Sequence, residues 1–289
     1  MTGVLPAWSW QFARGHLPSV AALPTELPLT REWAWGGATG AGVKVAVIDS
    51  GVDGSHPAIR GVAGGVAVEV DARTGRTTLV EGPHADLYGH GTACAGIIRR
   101  AAPECEIYSV RVLGARLSGR AAAFVTGLRW AVDNGMHVAN LSLSSGRASQ
   151  FATFHRVADE AYFAGTVLVC VVNNIPVPSY PSEFAAVLSV AARAGDDPFD
   201  YDYNPDPPVE FGAPGVDVDV AWTGGRTIRA TGNSFACPHV TGLVARLLSK
   251  HPGLTPFQVK TVLHALASNA RPAGATADHV ARGTSPSAG

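Results

Sequence analysis

A chain of 289 residues with 46% hydrophobic and only 16% charged side chains has the composition of a core-rich globular protein, and its length suits one α/β domain with short tails. Its formal net charge of −1 argues against nucleic acid or an anionic membrane as the main partner. No apolar run approaches the ~18 residues needed to span a bilayer.

In chain order, Met1 to Pro24 scatters Trp8, Trp10, Arg14 and His16 through a stretch with no basic start or continuous apolar core. It therefore reads as an N-terminal extension (residues 1–24) rather than an export signal, and a cytoplasmic protein is expected. Cys94, Cys105, Cys170 and Cys237 form no Cys-x-x-Cys pair, and free buried thiols are expected.

Val43-Lys-Val-Ala-Val-Ile48, bounded by Gly42 and Gly51, predicts a buried strand that delivers Asp49 at its C-terminal end. Val66–Val70 and Arg76–Val80 flank Asp71-Ala-Arg-Thr-Gly75 and predict a hairpin. A small-residue apolar helix begins at His90, followed by a strand at Glu106–Val112 and a helix near Arg120–Asn134. Val138–Leu143 reads as a strand, Gln150–Ala164 as a helix, Thr166–Val172 and Ala186–Ala192 as strands. Asp196–Asp206 reads as an acidic solvated loop. Ala236–Leu248 predicts a helix apolar nearly all round, and Thr255-Pro256 opens a last helix to Ala267. The alternation predicts a doubly wound, mostly parallel α/β sheet with helices on both faces over residues 25–269, and residues 270–289 read as a flexible tail.

Chemistry concentrates at three points. Ala230-Thr-Gly-Asn-Ser-Phe-Ala-Cys-Pro-His239 places the Ser234 hydroxyl at a helix start, with Gly232 expected to make a tight turn before it. Backbone N–H groups there can face an oxyanion. A serine needs a base and an orienting acid, and His90 in Gly-His-Gly-Thr and Asp49 in Asp-Ser-Gly supply them. Gly36–Gly42 superficially suggests a nucleotide loop but precedes a strand, which excludes that reading. His56 and His239 read as structural. His84, His137, His155, His251 and His264 have no metal-ligand spacing.

The order Asp49, His90, Ser234, with Asp-Ser-Gly-Val-Asp-Gly-Ser-His-Pro at 49–57, His-Gly-Thr at 90–92 and Gly-Asn-Ser-Phe-Ala-Cys-Pro-His at 232–239, resembles the subtilisin-like serine proteases, intracellular members in particular. The resemblance covers roughly residues 25–269. It implies a serine endopeptidase whose Asn174 completes an oxyanion hole with the Ser234 N–H. It further implies that Leu143, Ser144, Ser145 and Gly146 pair with an extended substrate, while Val172 and Asn173 wall the pocket for the residue before the cut. No metal and no cofactor are expected; the partner is a peptide or unfolded protein, and the enzyme is a monomer. A specialised peptide-maturation protease is a narrower version, and a catalytically silent peptide-binding relative is the alternative. Two positions depart from the family: Asn233 stands where Thr is usual and Asn173 where Gly is usual, both among the residues that orient catalytic groups and so bearing on rate and register, and neither removes a group that the mechanism needs.

Overall fold

The computed structural model describes Leu23 and residues 29–82, 84–206 and 208–270. The expected N-terminal extension and C-terminal tail lie, apart from Leu23 and Ala270, outside the described residues.

Nine strands form one sheet. They are β1 (Lys44–Asp49), β2 (Gly64–Val70), β3 (Thr77–Glu81), β4 (Glu106–Arg111), β5 (Val138–Leu141), β6 (Val167–Val171), β7 (Leu188–Arg193), β8 (Asp202–Tyr203) and β9 (Phe211–Pro214), in the spatial order β3-β2-β4-β1-β5-β6-β7-β9-β8. The interior pairs are all parallel, and only the edge strands β3 and β8 run antiparallel. Among the described residues six α-helices accompany the sheets: α1 (Arg31–Trp35), α2 (His90–Ala101), α3 (Ala121–Asp133), α4 (Phe151–Phe163), α5 (Asn233–Lys250) and α6 (Pro256–Leu266).

The apolar strand runs follow from burial on both sides. In β1, Val45 and Val47 enter one core with α2, α5 and α6, while Ala46 and Ile48 enter a second core with α3 and α4. β6 divides in the same way, with Val167, Val169 and Val171 opposite Leu168 and Cys170. The chain turns back across β1 to start β5, so the crevice outside the C-terminal ends of β1 and β5 is the switch point where open α/β sheets place functional groups. Asp49 ends β1 there.

The predicted strands and helices all appear, with ends shifted by a few residues. Thr255 caps α6 through a reciprocal pair with Gln258. All four cysteines are buried and free.

The hairpin β10 (Val218–Trp222) and β11 (Arg226–Ala230) and the short helix α1 were not anticipated. The acidic segment 196–206 is not simply solvated: Arg193 pairs with Asp200 and Asp202, and Tyr201 is buried with its hydroxyl donating to Leu263 O at 2.7 Å. The chain does bend at Gly232 before α5, but its φ of 166° is extended backbone open to any residue, so the bend does not call on a glycine's conformational freedom.

Candidate active site

Asp49 and His90 meet at the C-terminal end of β1. The buried His90 Nδ1 lies 2.9 Å from both Asp49 carboxylate oxygens, which makes Nδ1–H the donor and leaves Nε2 for the cleft. The approach of α2 to β1 depends on two glycines. Gly89 has φ of 120° and a Cβ there would meet the Trp222 ring at 2.3 Å; a Cβ on Gly91 would meet Gly51 O at 2.0 Å.

Asp86 fastens the start of that helix. Its carboxylate accepts from Ser50 Oγ (2.8 Å), the N–H groups of Tyr88 (3.0 Å), Gly89 (2.8 Å) and Thr92 (2.8 Å), and Thr92 Oγ1 (2.7 Å). These bonds take up N–H groups that a helix start otherwise leaves without partners.

Burial alone would push His90 below its ordinary pKa, but the adjacent Asp49 carboxylate outweighs it and holds the imidazole well above 6.5. Burial keeps the neighbouring Cys94 a neutral thiol by raising its pKa. Among the described residues, Asp49, His90 and Cys94 are the one set of potential metal ligands with donor atoms within 4.8 Å of one another, and the acid and base of that set are already bonded together.

Ser234 lies in the first turn of α5, which begins at Asn233, earlier than the sequence pattern indicated. Pro238 sits four residues on and has no N–H to give to Ser234 O. Ser142 Oγ donates to that carbonyl instead, at 2.9 Å, and itself accepts from Asn140 Nδ2 at 3.0 Å. Thr241 Oγ1 donates to Asn140 Oδ1 at 2.9 Å, so a buried polar chain ties the nucleophile's backbone to β5. No hydrogen bond joins Ser234 Oγ to His90 Nε2 among the described residues, though both side chains line one cleft of about 1220 Å³. Catalytic hydrogen bonds are often long until substrate binds.

The same cleft is lined by Leu143, Ser144, Ser145, Gly146, Val172, Asn173 and Asn174, every further site residue expected from sequence. Asn174 Oδ1 accepts from the Asn233 N–H at 3.0 Å, which orients its amide and leaves Nδ2 as the unspent donor. Ser145 narrows the expectation for substrate pairing. Its N–H and C=O are already exchanged with Tyr180, both at 2.9 Å. Alternation along an extended segment turns the backbone groups of Ser144 and Gly146 the other way, and these make no hydrogen bond among the described residues.

The two departures from the family have structural work. The Asn233 side chain donates to Val172 O (3.3 Å) and Asn173 O (3.0 Å) and accepts from Ala192 N–H (2.9 Å), stitching the start of α5 to the ends of β6 and β7. Asn173 Nδ2 donates to Pro178 O (3.1 Å) and Ser179 Oγ (2.9 Å), holding the loop that follows. Both side chains thereby hold the segments that carry Asn174 and Ser234. Sequence reading missed Asp86, Asn140 and Ser142 as positioning groups; the partners that tie Asn140 and Ser142 to α5 lie about 90 to 100 positions on, whereas most of Asp86's partners are local and only its bond to Ser50 is distant.

The subtilase family model matches residues 40–281. The chain belongs to the subtilase family. It is 35% identical over 246 residues to subtilisin Savinase of Lederbergia lenta, covering 78% of this chain and 84% of that protein. A thermostable alkaline protease of Halalkalibacterium halodurans is 34% identical over 237 residues, or 78% of this chain, which spans 62% of that protein's length. Among solved structures, a cold-adapted subtilisin-like serine proteinase superposes with a TM-score of 0.66 at 27% identity, covering 84% of this chain and 90% of that one. By family this subtilase is a subtilisin-like serine protease, and its sheet is the subtilisin-like α/β fold.

Proposed function

We propose that this subtilase is an endopeptidase that hydrolyses unfolded peptide segments through Asp49, His90 and Ser234. The observation that carries the reading is the bond from a buried Asp49 to His90 in the cleft that Ser234 and Asn174 share. Asp49 fixes the imidazole with Nε2 toward the cleft, and Nε2 accepts the Ser234 proton as Oγ attacks the peptide carbonyl. The tetrahedral oxyanion is stabilised by Asn174 Nδ2 and the Ser234 N–H at the start of α5. His90 then protonates the leaving amine, and water repeats the sequence on the acyl-enzyme.

An extended substrate adds to the free edge at Ser144 and Gly146, which requires an unfolded or loop-borne segment. The four buried free thiols support a reducing, cytoplasmic setting. The test is hydrolysis of a defined unstructured peptide with product masses. Two linear fragments support an endopeptidase, a single product lighter by one water would make it a cyclising maturation enzyme, and bound but intact peptide would make it a silent binder.

A further inference from the structure

The charged lining of the cleft has one sign. Apart from His90, the ionisable residues lining it among the described residues are Arg120, Arg129 and Arg147, and no described Asp or Glu lines it. The chain as a whole is at −1, so this polarity is local.

All three arginines are exposed. Arg129 pairs with Glu160 at 3.4 Å, with both side chains nearly half exposed, a contact weak enough to exchange for a ligand. Arg120 precedes α3 and lies within the electrostatic reach of Asp71. Arg147 makes no side-chain hydrogen bond or ion pair among the described residues, and it directly continues the segment that leaves the Ser144 and Gly146 backbone groups free. The neighbouring lining, Ser142 to Gly146 and Gln150, carries no charge to neutralise it.

We propose that the cleft selects acidic peptides, with Asp or Glu on the acyl side of the scissile bond engaging Arg147 first and Arg120 and Arg129 further along. This rests on the proposed function for which bond is cut, but the recognition itself does not need turnover. A guanidinium accepts a carboxylate through two parallel N–H donors, and a concave low-dielectric site of one sign concentrates ligands of the other.

The test uses the full-length protein and unstructured peptides that differ only before the cut, as Glu, Gln or Lys. Glu should exceed its Gln counterpart about fivefold in kcat/KM, the upper range for one exposed pair. Lys should be poorest, and the ratio should shrink as salt rises from about 50 mM to about 0.5 M. Arg147→Gln should bring the Glu-to-Gln ratio toward one, and Arg147→Glu should invert it. Equal rates, or a preference for Lys, would overturn the proposal while leaving the endopeptidase reading intact. The same peptides are also titrated onto Ser234→Ala. If no peptide is cut by the wild type, the Kd ratios still decide: a Glu preference lost in the Arg147→Gln, Ser234→Ala double variant sustains the proposal, and indifference ends it.

Discussion

Replacing Asn233 with Thr restores the residue usual in the family, and it should damage this protein. The Asn233 side chain makes three hydrogen bonds, to Val172 O, Asn173 O and Ala192 N–H, which join α5 to the ends of β6 and β7. A threonine hydroxyl on a shorter arm can keep at most one of them. With about 1 kcal/mol for each lost bond, the fold should lose about 2 kcal/mol. For a domain of this size that is a fall in Tm of roughly 4–8 °C, readable by calorimetry. The larger effect should be on turnover. The bonds fix Asn173 beside Asn174, and a misplacement of about 1 Å in a catalytic group can cost on the order of 100-fold. Since the oxyanion forms only in the transition state, kcat should fall at least about tenfold with little change in KM. An unchanged Tm together with an unchanged or higher kcat would refute this account of the departure.

Two further expectations concern pH. Because the Asp49 carboxylate raises the pKa of His90, kcat/KM should climb with pH along a limb whose midpoint lies above 6.5, as the imidazole loses its proton; a midpoint below 6.5 would contradict the pairing. The stabilisation from that pair has the complementary sign: it is full below pH 6.5 and fades as pH rises through the folded pKa. His239 behaves in the opposite way. It is buried in α5 with neither ring nitrogen hydrogen-bonded among the described residues, and burial depresses its pKa to about 3, so it stays neutral in the fold while the unfolded chain takes up a proton near 6.5. Stability tied to His239 is full above 6.5 and is lost as pH falls toward 3, amounting to about 2 kcal/mol by pH 5. His239→Leu should remove about that much of the difference in denaturant stability between pH 8 and pH 5, and an equal pH dependence in both proteins would count against it.

The mostly parallel sheet, the order of its helices and the Asp49, His90 and Ser234 positions were legible because their signals are local, while Asn174 and the segment 143–146 followed from the family resemblance and the arginines of the cleft were not foreseen. A β-branched run ending in Asp49 and small-residue helices starting near His90 and Ser234 each announce themselves within ten residues. The β10–β11 hairpin also left a trace, since Thr223-Gly-Gly225 stands between alternating runs and both glycines have positive φ. That hairpin places Trp222 against Gly89, so it shapes the base's surroundings. Other features are long-range by nature. The pairing of Ser145 with Tyr180 spans an intervening helix and strand, and the bond from Ser142 to Ser234 O depends on Pro238 lacking an N–H. What Asn233 bonds to was not legible, because its three partners lie more than 40 positions away.

The central claim is that Ser234 is a nucleophile activated by His90. Its most direct measurement is the intact mass of the protein after exposure to a fluorophosphonate, with the adduct located by peptide mapping. A single adduct on Ser234 is expected, absent in Ser234→Ala and formed at least about 1,000-fold more slowly in His90→Ala, in line with the large loss that removing either group causes in subtilisin itself. No adduct on the wild type, or equal labelling of wild type and His90→Ala, would contradict it.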